Sequence, residues 1–188
     1  LALSNPPPAT TIPIPYLPGP ETALGPIVND AYFGKVPGDR LLVSPSVIFF
    51  RGDGQFRSKI GLSPARATPI AGSYDATGHV LTLVQYTRPA GAHRYVNSMW
   101  AIQQNPYAGD VVNSYNDGPP APGAPPLGPF YELETSSPGL GLAPAEEHVH
   151  VHRTIHLVGP DTDLDAIARA VLKVPLADVA GAFKAPSQ

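Results

Sequence analysis

A chain of 188 residues fits one domain or part of a larger one, and it is long enough to bury roughly 70 % of its unfolded surface. Twelve Lys and Arg stand against 15 Asp and Glu, a formal charge of -3 with no basic block, which argues against nucleic acid as a partner. No segment approaches the ~20 apolar residues of a membrane-spanning helix, and the absence of cysteine excludes a disulfide framework, a cysteine nucleophile and thiolate metal ligands.

The 25 prolines and 18 glycines cluster at 6–20, 118–129 and 138–145, with apolar segments between them, as in a β protein with stiff connections. Residues 1–20 cannot form a regular helix, because Pro6, Pro7 and Pro8 favour polyproline II and Pro13, Pro15 and Pro18 remove backbone donors. They are expected to form an extended arm or an edge strand. Leu41–Val43 and Val47–Phe50 read as strands around a Ser-Pro turn. Arg51-Gly-Asp-Gly54 reads as a hairpin turn rather than an adhesive tripeptide. Arg57, Lys59 and Arg66 either hold an anion or face solvent.

Residues 68–104 give the clearest hairpin signal: Gly72–Asp75, a turn at Ala76-Thr-Gly78, the strand His79–Thr87, and a resumption at Tyr95–Gln103 that carries Met99 and Trp100. Val111 and Val112 start a further strand, closed by an Asx-type turn at Asn116-Asp-Gly118 and followed by a Pro-rich connector. Leu164, Ile167, Ala168, Val171 and Leu172 recur at helical spacing, with Thr162 and Asp165 as start signals and Pro175 as the stop. A short turn or helix over Leu176–Phe183 and a Pro-Ser-Gln tail finish the chain.

The chemically capable groups lie in two stretches. In Gly128–Pro138, strand alternation puts Phe130, Glu132 and Glu134 on one face and Tyr131, Leu133 and Thr135 on the other. In Glu146–Leu157 it puts His148, His150, His152, Thr154 and His156 opposite Val149, Val151, Ile155 and Leu157. The two stretches are expected to be adjacent antiparallel strands joined by the Pro/Gly connection 138–145. Two carboxylates would then lie near several imidazoles. The plain alternative is a solvent-facing strand surface.

Phe130-Tyr-Glu-Leu-Glu-Thr-Ser-Ser-Pro138, Leu142-Ala-Pro-Ala-Glu146 and the strand 148–157 resemble the closing part of the galactose-mutarotase-like superfamily. Pro26–Pro37, Arg57–Pro64, Tyr95–Trp100 and Asn113–Pro119 resemble, more specifically, a bacterial branch that is often exported and classed as a domain of unknown function. The resemblance implies a mainly β fold, part of an antiparallel β-supersandwich with one short C-terminal helix, in which residues 21–188 form the C-terminal half. It also implies an extracytoplasmic (periplasmic or secreted) location. A missing N-terminal half or another protein chain would then cover sheet edges that are otherwise exposed. Position by position, the catalytic base falls on Glu134, with Glu132 beside it. Thr135 and Ser136 depart from the superfamily's pattern after the glutamate, as does Ala145 at its turn glycine.

The implied chemistry is general acid/base catalysis on a sugar or sugar-derived ligand, with Glu134 taking the anomeric proton and a histidine acting as the acid. Asn113, Tyr115, Trp100, His150 and His152 are the expected substrate contacts. The competing reading is a carbohydrate-binding or structural module without turnover. No cofactor is expected, and no metal either. The histidines from 148 to 156 span too great a length to meet one ion, and His150 and His152 are the pair placed to ligate one if it is present.

Overall fold

Alternation of apolar residues along ten short strands builds two antiparallel sheets, described for residues 1–184 by a computed structural model. The chain is mainly β, as expected. The smaller sheet has four strands in the order β1 (Ala2–Ser4), β9 (Phe130–Thr135), β8 (Val112–Asn116), β5 (Ser58–Leu62). The larger has six, in the order β10 (His152–Val158), β7 (Val80–Tyr86), β6 (Ile70–Asp75), β2 (Thr10–Pro15), β4 (Val47–Arg51), β3 (Leu41–Val43).

The sheets pack face to face over a core that includes Ile12, Ile14, Ile48, Phe50, Ile60, Val84, Tyr131 and Leu133. Ser73 Oγ and Tyr131 Oη, 2.7 Å apart, join the two sheets within it by a hydrogen bond. On the far side of the larger sheet, Val47, Phe49, Tyr74, Leu81 and Leu83 meet α2 (Asp161–Val171) and α3 (Leu176–Gly181) through Leu164, Ala168, Leu172, Leu176 and Val179. The remaining helix, α1 (Glu21–Leu24), is a single turn with no buried residue.

The helical spacing at 164–172 is a core-facing stripe, as expected. The start signal is displaced: α2 begins at Asp161 with Pro160 at the cap and no side-chain cap bond, so Thr162 lies inside the first turn. Pro175 ends the connection by serving as the cap of α3. The Pro-Ser-Gln end of the chain lies outside the described residues. No helix among the described residues is long and apolar enough to cross a membrane.

Three expectations are corrected. First, residues 1–20 are neither an arm nor only an edge: β1 pairs with β9, and β2 lies inside the larger sheet between β4 and β6. A central strand tolerates Pro13 and Pro15 because the even-numbered residues turn their N–H groups to β4, as Tyr16 does to Ser46 O (3.0 Å). The odd-numbered residues face β6 and the segment that leads into it, where Leu17 N–H reaches Arg66 O (2.8 Å). Both prolines therefore lack a donor on the same side, and the β2–β6 ladder is confined to Thr10 and Thr11. Thr68 Oγ1 caps the opened ladder by donating to Pro15 O (2.9 Å).

Second, β9 and β10 are not neighbours. They belong to different sheets, and residues 136–151 cross from one to the other. β10 begins only at His152 and pairs along its whole length with β7, which supplies an equally long edge. Third, Tyr95–Gln103 does not resume as a strand but forms a loop, and Arg51-Gly-Asp carries the chain between sheets rather than around a hairpin. Asp53 is buried there, bonded to Arg40 and to Asn116 Nδ2 (3.2 Å).

Arg66 is fully buried without a carboxylate partner among the described residues. Its guanidinium donates to Leu17 O (3.0 Å), Gly19 O (3.0 Å) and twice to Gly25 O (2.6 and 3.2 Å), fixing the segment that follows β2. Five donors in a rigid fork suit three carbonyls, whereas a lysine cannot span them. Arg66→Met strands those carbonyls and is expected to cost about 3 kcal/mol in urea unfolding, with Arg66→Lys recovering only part of it.

Candidate functional site

The outer face of the smaller sheet, away from the core, carries the site. The β8–β9 register sets Tyr115 opposite Glu132 and Asn113 opposite Glu134, and the β5–β8 register adds Lys59 opposite Tyr115. All five side chains therefore share one face, while Leu133, Ser114 and Ile60 point into the core. Glu134 is held by Lys59 Nζ at 3.0 and 3.1 Å to its two oxygens, an ion pair that is mostly shielded.

Two loops cover this face. Residues 29–33 are tied to β5 by reciprocal backbone bonds between Asn29 and Gly61, both 2.8 Å. Gly61 is required for that approach, since a Cβ there would lie 2.2 Å from Asp110 Oδ2 and 2.6 Å from Asn113 Nδ2. The Asp110 carboxylate accepts from Tyr32 Oη (2.6 Å) and Asn29 Nδ2 (2.9 Å), and Asn113 Nδ2 donates to Tyr32 Oη (2.9 Å). The second loop, 96–107, is closed at its base by Tyr95 N–H to Tyr107 O (3.1 Å) and Asn97 N–H to Pro106 O (2.8 Å). Near its tip is Trp100, 86 % exposed, with its ring edge-on to Phe33 at 6.3 Å.

Between the loops and the sheet lies a cleft of about 390 Å³, lined by Tyr32, Phe33, Trp100, Tyr115, Phe130 and Glu132 together with Arg57 and Lys59. Phe33, Tyr115 and Phe130 continue the aromatic wall at centroid separations of 5.8 and 5.7 Å. Burial, then the Glu134 charge and a hydrogen bond with Glu134, push the Glu132 acid up from its ordinary value. Burial also raises Asp110, against the opposing bonds from Tyr32 and Asn29. The Tyr115 phenol is pushed up to about 12 by burial and its bond to Asp117. A carboxyl biased towards protonation thus stands next to an ion-paired carboxylate at the mouth of an aromatic cleft.

Of the residues singled out in the sequence, the structure brings Glu132, Tyr115 and Trp100 to the cleft wall. Glu134 stands behind Glu132 on Lys59, and Asn113 is buried in the loop anchor. His150 and His152 are not on this face. They meet Thr135 on the opposite side of β9, where Thr135 Oγ1 lies 3.1 Å from His150 Nε2 and 2.8 Å from His152 Nδ1. Burial lowers both imidazoles. Among the described residues no group of three or more His, Asp and Glu side chains converges as a metal site.

Sequence reasoning missed Tyr32, Phe33, Arg57 and Lys59 as cleft residues. Ser58-Lys-Ile-Gly-Leu62 does alternate, but its outward positions hold only Lys59 and Gly61, so the strand signal is weak. Gly61→Ala is expected to push the 29–33 loop off the sheet, lowering stability by about 1–3 kcal/mol in chemical denaturation and moving the environment of Trp100 through Phe33. An unchanged melt and an unchanged Trp100 emission would contradict this account of the loop anchor.

No curated protein and no solved structure gives a significant match to the chain. One family model does, a family of unknown function (DUF6786), over residues 1–183. With nearly the whole sequence inside that match, the chain belongs to the DUF6786 family.

Proposed function

We propose that this chain binds a carbohydrate in the cleft on the outer face of the smaller sheet. The observation that carries this reading is the wall of Trp100, Phe33 and Tyr115 around the Glu132 carboxyl. The faces of pyranose rings are apolar enough to lie on aromatic rings, while their hydroxyls need donors and acceptors fixed at the rim. Glu132, Tyr32 and Lys59 supply those groups. The resemblance to mutarotase-like proteins supports a sugar as the ligand class, but their sugar cleft lies on the large sheet, whereas this one lies on the smaller.

One observation favours turnover in addition to binding. Burial and the neighbouring Glu134 bias Glu132 towards its acid form, so the pair is suited to give a proton to one oxygen of a sugar and accept one from another. The histidine implied by the resemblance has no counterpart in the cleft among the described residues, so Glu132 takes the acid's part and Glu134, with Lys59 beside it, the base's.

Trp100 is the sole tryptophan, so its emission reports on the cleft directly. Titration with common aldoses is expected to shift that emission to the blue with saturation, and Trp100→Ala or Phe33→Ala should weaken binding about tenfold or more. Absence of any saturable shift across the sugar panel refutes carbohydrate binding. Polarimetry on α-anomers then separates the two versions: acceleration lost in both Glu132→Gln and Glu134→Gln establishes acid/base turnover, and binding without acceleration establishes a module.

Because Glu132 has a raised pKa in the fold, the protonated form favours the native state. Its contribution is fully present below the ordinary glutamate value and is lost as pH rises through the raised one. Glu132→Gln, neutral at every pH, should therefore be more stable than wild type at neutral pH and lose that advantage on acidification. Melting curves across pH 4–8 or so test this directly.

A further inference from the structure

Arg57 enters the cleft just before β5, and its surroundings are unusual for a cation. Its guanidinium carbon lies 4.3 Å from the centroid of the Phe33 ring and 6.0 Å from that of Trp100, so two aromatic groups hold it in place. It is half-buried, and among the described residues it has no carboxylate within 4.0 Å. The anions around it are already engaged. Lys59 holds Glu134 at 3.0 Å. Tyr32 and Asn29 hold Asp110 at 2.6 and 2.9 Å. Asp117 accepts from Tyr115 Oη at 2.6 Å and from the Gly128 N–H at 2.9 Å.

The remaining acid on the cleft wall, Glu132, is pushed towards its neutral form. The cleft thus presents one oriented guanidinium beside an aromatic platform, in hydrogen-bond contact with Tyr115 but without a carboxylate partner among the described residues.

We propose that the ligand of this cleft is an acidic sugar, a monosaccharide or short oligosaccharide bearing a carboxylate, and that Arg57 receives that carboxylate. This rests on the carbohydrate reading given above. A planar fork held flat against a ring matches a carboxylate with two parallel N–H···O bonds. A single negative charge suits the site, because among the described residues Arg57 is the cleft cation without a carboxylate partner. A doubly charged phosphate would have only that one guanidinium to offset it. Neutral sugars engage the aromatic wall without using Arg57.

The experiment compares neutral and acidic forms of one sugar on the same protein, read by Trp100 emission. Galactose and glucose are set against galacturonate and glucuronate, with the 6-phosphates and 6-sulfates as further arms. In wild type the uronates are expected to bind about tenfold or more tighter than their neutral parents, as a charge-assisted bidentate pair would produce, and to lose that advantage as salt is raised. In Arg57→Leu the ratio of the two affinities should fall towards one, and Arg57→Lys, which keeps the charge but not the fork, should retain part of it. Thermal melts of both variants establish that they are folded.

A ratio near one in wild type overturns the proposal while leaving carbohydrate binding in place. A preference that survives in folded Arg57→Leu also overturns it, as does Arg57-dependent binding of the phosphate or sulfate arm in preference to the uronates. If no sugar binds but succinate does so through Arg57, the carboxylate role stands and the carbohydrate reading falls.

Discussion

The register of β8 against β9 is the constraint on which the rest depends. With Tyr115 opposite Glu132 and Asn113 opposite Glu134, four polar side chains reach the outer face of the smaller sheet while Tyr131 and Leu133 fill the core. A slip of one residue would exchange the two sets, burying carboxylates and exposing the apolar positions. The register is pinned from below by the Tyr131–Ser73 bond to the other sheet. It is pinned at one end by Asn116, fully buried, which accepts from Gly54 N–H (2.8 Å) and donates to Phe56 O (2.9 Å). Those bonds also fix the crossover that delivers Arg57 and Lys59. One set of core contacts therefore positions both the carboxylates and the cations of the cleft.

The second layer of organisation is electrostatic. Lys59 is nearly buried and touches both oxygens of Glu134, so the pair gains from a low local dielectric while its desolvation is shared. This leaves Glu132 beside an ionised neighbour, where retaining its own proton is favourable. Asp110 follows the same logic in the loop anchor, buried but supplied with two donors. The acids on this face thus divide by environment into one ion-paired, one hydrogen-bonded and one biased towards protonation. Such division is what acid/base or donor/acceptor recognition needs from otherwise equivalent groups.

Much of this was legible in the chain. Period-two patterning identified the face shared by Glu132 and Glu134, and the Asp75-Ala-Thr-Gly78 turn between β6 and β7 had its own chemistry, with Asp75 Oδ1 accepting from Thr77 and Gly78 N–H. The stripe Leu164, Ala168, Leu172 identified α2. Alternation does not say which sheet a strand joins, however. The His152, Thr154, His156 face is real, since these residues pair with Tyr86, Val84 and Thr82 on the core side of β7. It faces the inner side of β9 through Thr135, not the carboxylates on the outer side. Propensity likewise pointed to an edge for a strand with Pro13 and Pro15. A central place became possible only because both prolines fall on the parity that faces β6, with Thr68 supplying a donor there.

The same geometry ties recognition to protonation. Glu132 already sits where burial opposes its charge, and a ring seated between Trp100 and Tyr115 would remove further water from it. The desolvation that favours an apolar sugar face therefore also raises the acid's pKa, helping Glu132 keep its proton when the proposed ligand is present. A carboxylate on that ligand adds a negative charge and acts in the same direction on Glu132, while Arg57, held on the Phe33 and Trp100 rings, offsets that charge. Binding and proton retention are then coupled through one small volume. The coupling depends on the Lys59–Glu134 pair staying intact, because a protonated Glu134 would neither repel a charge on Glu132 nor accept its hydrogen bond as strongly.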